Sequence, residues 1–257
     1  MAALLVPALL LVGFWAPLAR LSATIYENVS FALAPSAALA ASFGERHFDS
    51  RNAAQYDLNR ARHFYRAALA LDPAFPYANH QLARIEFIRG NFNVALYYSS
   101  KEIEFHGDTE PNAYYVRGLI EGYMGRYEDA IKDYKHYVES DPKNWAGQND
   151  YAWVLLKAGR PREALAATEQ GLAVFPDNPW LLSTNAIALY EVGEYEKARA
   201  AAERAREAAA RLTENEWLRA YPGNDPRVAQ KGIATLRSAI TQNMHRIEAA
   251  LASSTAR

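Results

Sequence analysis

The 257-residue chain contains no cysteine. That excludes disulfide frameworks, thiolate metal sites and cysteine nucleophiles. It also lacks a charge excess, since 28 Lys and Arg face 29 Asp and Glu. The domain-wide basic field that nucleic-acid binding needs is therefore missing, and no nucleic-acid partner is expected. Glycine (13) and proline (12) are sparse in a composition that is 50% hydrophobic and rich in alanine. This favours closely packed helices over a sheet sandwich. Catalytic signatures are absent as well: no HExxH, phosphate-binding glycine loop, dinucleotide fingerprint or GxSxG elbow occurs. The six histidines (His47, His63, His80, His106, His136 and His245) form no i, i+4 pair. No metal, no cofactor and no enzymatic activity are expected.

Charge is missing from one long stretch. Residues 2–19, AALLVPALLLVGFWAPLA, carry none. As a helix at ~1.5 Å per residue they span about 27 Å, close to a bilayer's apolar core. Trp15 sits near one end, where an interfacial aromatic belongs. An uncleaved single-pass anchor, a cleaved signal segment and a buried helix all fit. A signal peptide lacks its usual basic n-region here, so residues 1–20 are read first as an anchor. Residues 21–35 follow as a membrane-proximal spacer. The side of the membrane is left open.

What is present in abundance is an internal repeat. Glycines stand at Gly90, Gly125, Gly159 and Gly193, spaced 35, 34 and 34 residues apart. Around each glycine, small residues pair at an offset of 12: Ala83 with Ala95, Gly118 with Ala130, Ala152 with Ala164, Ala186 with Ala198. This pattern predicts helix hairpins. Glycine ends the first helix where a positive φ is needed, and the small pair lets antiparallel helices approach. Phe92, Tyr127, Pro161 and Tyr195 follow two residues after each glycine and start the second helices; Pro73, Pro142 and Pro176 stop them. Further on, Thr213 and Glu216 form a capping-box pattern before a short helix holding Trp217 and Leu218. YPGNDP (221–226) reads as a turn with Asp225 as helix cap, or as a lip over one end of a groove. From Pro226 to about Leu251, Val228, Ile233, Leu236, Ile240, Met244, Ile247 and Leu251 mark one apolar face.

These features resemble the tetratricopeptide repeat family. The similarity runs from Ala38 to Leu212, with units at about 36–75, 76–109, 111–144, 145–178 and 179–212. The 145–178 unit is the cleanest, with Tyr151, Ala152, Leu155, Gly159, Ala164, Gly171 and Pro176 in place. The late small position holds Glu102 and Tyr137 in two units. The resemblance implies an all-α helical-hairpin solenoid of about four to five repeats over 36–212. An N-terminal apolar helix would precede it, and C-terminal capping helices over 213–257 would follow. It also implies a concave, ligand-binding face built by first helices. The family's contact positions, carried onto this chain, give Tyr77, His80, Arg84, Asn112, Tyr115, Leu119, Tyr123, Asn149, Trp153, Trp180 and Tyr190; Asp150 occupies another. The lysine, asparagine and arginine set that clamps a C-terminal carboxylate in some members is not reproduced. Its positions hold His80, Arg84, Val116, Ala146 and Asp150.

The expected function is a non-catalytic, membrane-tethered scaffold that binds a protein or peptide segment in this groove. Two alternatives stay open. An envelope glycan or small ligand would stack on aromatics such as Trp153 and Trp180. A regulatory partner of a membrane enzyme is the other, because residues 213–257 are too short to hold a catalytic domain.

Overall fold

The computed structural model describes residues 21 and 24–255. Among these there are helices and turns and no strand. A helical stretch over residues 24–33 leads into α1 (Ala37–Phe48) and α2 (Leu58–Leu71). Four further hairpins follow: α3 (Ala78–Ile88) with α4 (Phe92–His106), α5 (Asn112–Tyr123) with α6 (Tyr127–Ser140), α7 (Trp145–Lys157) with α8 (Pro161–Val174), and α9 (Pro179–Glu191) with α10 (Tyr195–Arg211). A short α11 (Glu214–Ala220), a 3-10 turn (Pro226–Val228) and the long α12 (Ala229–Thr255) close the array.

The local signals act as the sequence predicts. Gly90, Gly125, Gly159 and Gly193 have φ of 76°, 77°, 74° and 88°. A Cβ at any of them would meet nothing within 4 Å, so the demand for glycine there comes from the backbone alone. Each second helix starts at the expected residue, Phe92, Tyr127, Pro161 or Tyr195. The small pairs lie at the hairpin crossings, and Ala83, Ala95, Ala130, Ala152, Ala164, Ala186 and Ala198 are all at 0–1% exposure. Each hairpin packs on the next, and first helices touch one another as well: α3 with α5, α5 with α7, and α7 with α9. The result is a continuous interior flanked by a face of first helices.

The two departures from the repeat pattern have physical explanations. Tyr137 replaces a small residue in α6, and the facing helix α7 supplies Gly147, whose Cβ would lie 2.6 Å from the Tyr137 ring. One unit later the sizes are exchanged: Gly171 in α8 faces Leu181 in α9, and a Cβ there would lie 2.8 Å away. The large residue moves from one helix of the crossing to the other, and glycine makes room for it in each case. Glu102, buried in α4, caps the start of α3, accepting from the Tyr77 and His80 amides at 3.0 Å each. Burial raises its pKa, and those two hydrogen bonds oppose the shift.

At the C-terminal end, Thr213 and Glu216 form the expected capping box and bury Trp217. Gly232 of α12 lets this indole seat, since a Cβ there would lie 2.3 Å from the ring. Ile233, Ile240 and Ile247 are buried against the last hairpin, in clusters that Leu236, Met244 and Leu251 join. Val228 departs from this face. It lies in the 3-10 turn ahead of α12 and is 40% exposed, because the turn breaks the helical phase.

The apolar segment 2–19 lies outside the described residues. Among those described, no helix is long and apolar enough to cross a membrane.

Candidate functional site: the concave groove

The face of first helices encloses a cavity of about 730 Å³. His80 and Arg84 reach it from α3, Asn112, Tyr115, Leu119 and Tyr123 from α5, and Asn149, Asp150 and Trp153 from α7. These residues recur one repeat apart, so helical phase alone brings them to one surface. Eight of the eleven predicted contact residues thus line one cavity.

The other three do not. Tyr77 stands at the N-terminal edge of α3 with φ 63°, 44% exposed, its hydroxyl donating to Glu110. Trp180 is buried at 8% exposure, stacked on Trp145 with ring centroids 5.0 Å apart. It belongs to the core cluster around Trp217 and Ile233. Tyr190 packs against Tyr195 and lies under the Arg246 guanidinium of α12, 5.0 Å away. In both cases the C-terminal cap covers the last repeat's first helix.

A ladder of polar groups runs along the floor. The Thr184 hydroxyl of α9 donates to Asn149 Oδ1 at 2.9 Å. The Asn149 amide donates to Asp150 Oδ1 at 3.0 Å, and the Tyr115 hydroxyl donates to Asp150 Oδ2 at 2.7 Å. Three consecutive repeats are joined by it. Loss of solvation on burial pushes the Asp150 carboxyl up, opposed by the hydrogen bonds from Tyr115 and Asn149. Burial, with Asp150 beside it, pushes the Tyr115 phenol well up, so it remains a neutral donor. Burial, reinforced by the Arg84 charge, pulls His80 down to about 3. His80 is therefore neutral at physiological pH and unsuited to general-base work.

The groove also has a roof. Residues 221–224 of YPGNDP do not simply cap α12; they cross the groove to the first hairpins. The Tyr56 hydroxyl donates to the Gly223 carbonyl at 2.5 Å, and Arg84 donates to the Pro222 carbonyl. The Gly223 amide approaches Ser50 Oγ at 3.4 Å. Gly223 has φ 90°, and a Cβ there would lie 2.6 Å from the Arg84 guanidinium and 2.8 Å from the Phe48 ring. Tyr221 anchors the other side against Trp217 and Trp180, at centroid distances of 4.9 and 5.9 Å. Ala220, Tyr221, Pro222 and Asn224 consequently form a wall of the cavity. The turn reading explains Asp225, whose side chain accepts from the Arg227 amide. Tyr221 is accounted for by its packing on the two indoles, and the segment is a strap across the groove rather than a lip over one end.

Comparison with known proteins fits this geometry. Tetratricopeptide repeat family models match residues 115–179 and 155–229. The chain carries tetratricopeptide repeats over residues 115–229. A crystal structure of MamA protein superposes with a TM-score of 0.59 at 18% identity, over 69% of this chain and 96% of that one. A crystal structure of YrrB, described as a TPR protein with an unusual peptide-binding site, gives 0.58 at 15% identity, over 80% and 97%. Likeness at such identities establishes the fold. No curated protein matches this chain in sequence.

Tyr221 and Pro222 could not be found as groove residues by repeat position, because they follow the last helix hairpin, α9 with α10. The one signal was that a turn-and-cap reading left Tyr221 without a role. Asp150, in contrast, stands at a repeat contact position and, among the described residues, is the only acidic one lining this cavity.

Proposed function

We propose that the protein is a non-catalytic interaction scaffold that holds a peptide or protein segment in its concave groove. The observation that carries this is the cavity of about 730 Å³, where His80, Arg84, Asn112, Tyr115, Leu119, Tyr123, Asn149 and Trp153 converge. Its mixture of aromatic faces, amide groups and two formal charges suits side chains and backbone of an extended segment. YrrB's described peptide-binding site on the same fold supports the reading. A glycan ligand is disfavoured because Trp180, one of the two tryptophans that motivated it, is packed in the core.

The proposal includes a membrane tether through residues 2–19. Support comes from their uncharged sequence and from the helical stretch that follows. That stretch is inside-out: Glu27 is buried against His47, Arg46 and Arg60, while Leu21, Ile25, Tyr26, Val29 and Leu33 are 50–81% exposed. An apolar stripe in line with an apolar segment suits a bilayer surface.

The test is affinity capture from detergent-solubilised source membranes with the full chain and with a Tyr123→Ala/Trp153→Ala variant that stays folded. A partner held by the first and lost by the second is the expected result. Equal recovery by both would move binding away from the groove. Removal of residues 2–19 is expected to shift the protein from the membrane to the soluble fraction; unchanged fractionation would overturn the tether.

A further inference from the structure

The two charged groups in the groove are in different situations. Arg84 is occupied by this chain itself. It donates to the Pro222 carbonyl and to Gln81 Oε1 at 2.8 Å, and it lies 5.0 Å from the Phe48 ring centroid. Asp150 has no such counterpart. Its two oxygens accept only from neutral donors, Tyr115 and Asn149, and among the described residues it makes no ion pair. A crowded carboxylate without a cation is costly, and a positive charge brought to it recovers much of that cost.

The surroundings select what form that charge takes. Tyr115, Tyr123, Trp153 and Tyr221 line the same cavity as Asp150. Tyr123 and Trp153 pack on each other, ring centroids 5.7 Å apart with their planes at 36°, and both present ring surface to the cavity that Asp150 lines. Aromatic faces next to a carboxylate form a receptor for an organic cation. Trp153 already attracts one: Lys157 Nζ lies 5.8 Å from its ring centroid without pairing to Asp150. A small hydrated ion would gain little from such walls, whereas the stem of a lysine or arginine packs along them.

We infer that the groove selects segments carrying a lysine or arginine side chain, whose cation pairs with Asp150 in the cavity that Tyr115, Tyr123 and Trp153 also line. This rests on the groove being the binding surface and adds the chemistry of its ligand. Asp150 is then the specificity-determining residue, while Arg84 holds the strap.

The test pans a random library of eight-residue peptides, acetylated and amidated at their ends, against the full-length protein. A lysine or arginine enriched at one position is expected. The best peptide should lose about 10–100-fold in affinity when Asp150→Asn is introduced, or when its basic residue is replaced by norleucine. The two changes together should cost no more than either alone. Asparagine at 150 retains acceptors for Tyr115, and an unchanged melting curve would show that the fold is intact. Peptides without a basic residue, bound equally by the Asp150→Asn protein but lost by Trp153→Ala, would overturn the inference and leave the groove reading standing. No peptide recovered above the resin blank would overturn both.

Discussion

The same first helices present two faces that obey different rules. Toward their hairpin partners they present Ala83, Gly118, Ala152 and Ala186, one small residue per repeat at one position. Toward the groove the position six residues before the turn glycine holds Arg84, Leu119 and Trp153 in three successive repeats, no two alike. The inner face solves one packing problem again and again, so its residues converge. The groove face is assembled once from several repeats, so each repeat contributes a different group. Interior substitutions should therefore cost the most stability, and groove substitutions should cost less and act on ligand selection as well.

The largest effect is expected inside. Leu155 is fully buried between α7 and its neighbours, and Leu155→Ala should cost about 2–5 kcal/mol in urea unfolding. A cost below about 1 kcal/mol would break the distinction between the faces. Arg84→Met comes next, because it removes the charged donor to the strap. Global stability should fall by about 1–3 kcal/mol, and amide exchange over residues 220–225 should rise more than in the repeats. If exchange there does not change, the strap is held by Tyr56 and Tyr221 without it.

Glu121 sharpens the comparison with pH. It is buried in α5, and burial, with Asp133 and Asp129 of α6 beside it, raises its pKa to about 7 despite Arg117 and Arg126. The native state therefore holds a proton that the unfolded chain has released. The resulting stability is complete below about pH 4.5 and is lost as pH rises through about 7. Its size is on the order of 1–2 kcal/mol once partial solvent access is allowed for. Glu121→Gln should flatten this dependence in thermal melts between pH 5 and pH 8, and an unaltered slope would assign the dependence elsewhere. The smallest effect is expected on the groove floor. Thr184→Val removes one hydrogen bond of the polar ladder and should cost about 0.5–1.5 kcal/mol, measured by the same unfolding.

The groove was partly legible in advance. Positions one repeat apart fall on one helix face, and that placed Arg84, Tyr115, Tyr123, Asn149 and Trp153 together. Repeat position alone could not tell that α12 covers Tyr190, or that Trp145, Trp217 and the C-terminal cap bury Trp180. Both lie in the last repeat, where the solenoid has no successor and another element takes over its surface.

Much of this protein follows from the sequence alone: an all-helical hairpin array, its turn glycines with positive φ, its proline stops, its small crossings and its capping box. These are local or strictly periodic signals, each acting within one or two helical turns or at a fixed 34-residue phase. Tertiary structure alone decided the exchange of sizes between Tyr137–Gly147 and Gly171–Leu181, the polar ladder through Asp150, and the strap that joins Gly223 to Tyr56. Residues 56 and 223 lie far apart in the chain, and the curvature of the stacked hairpins brings them together. That curvature sums small rotations at every crossing, and no single segment of the sequence encodes the total.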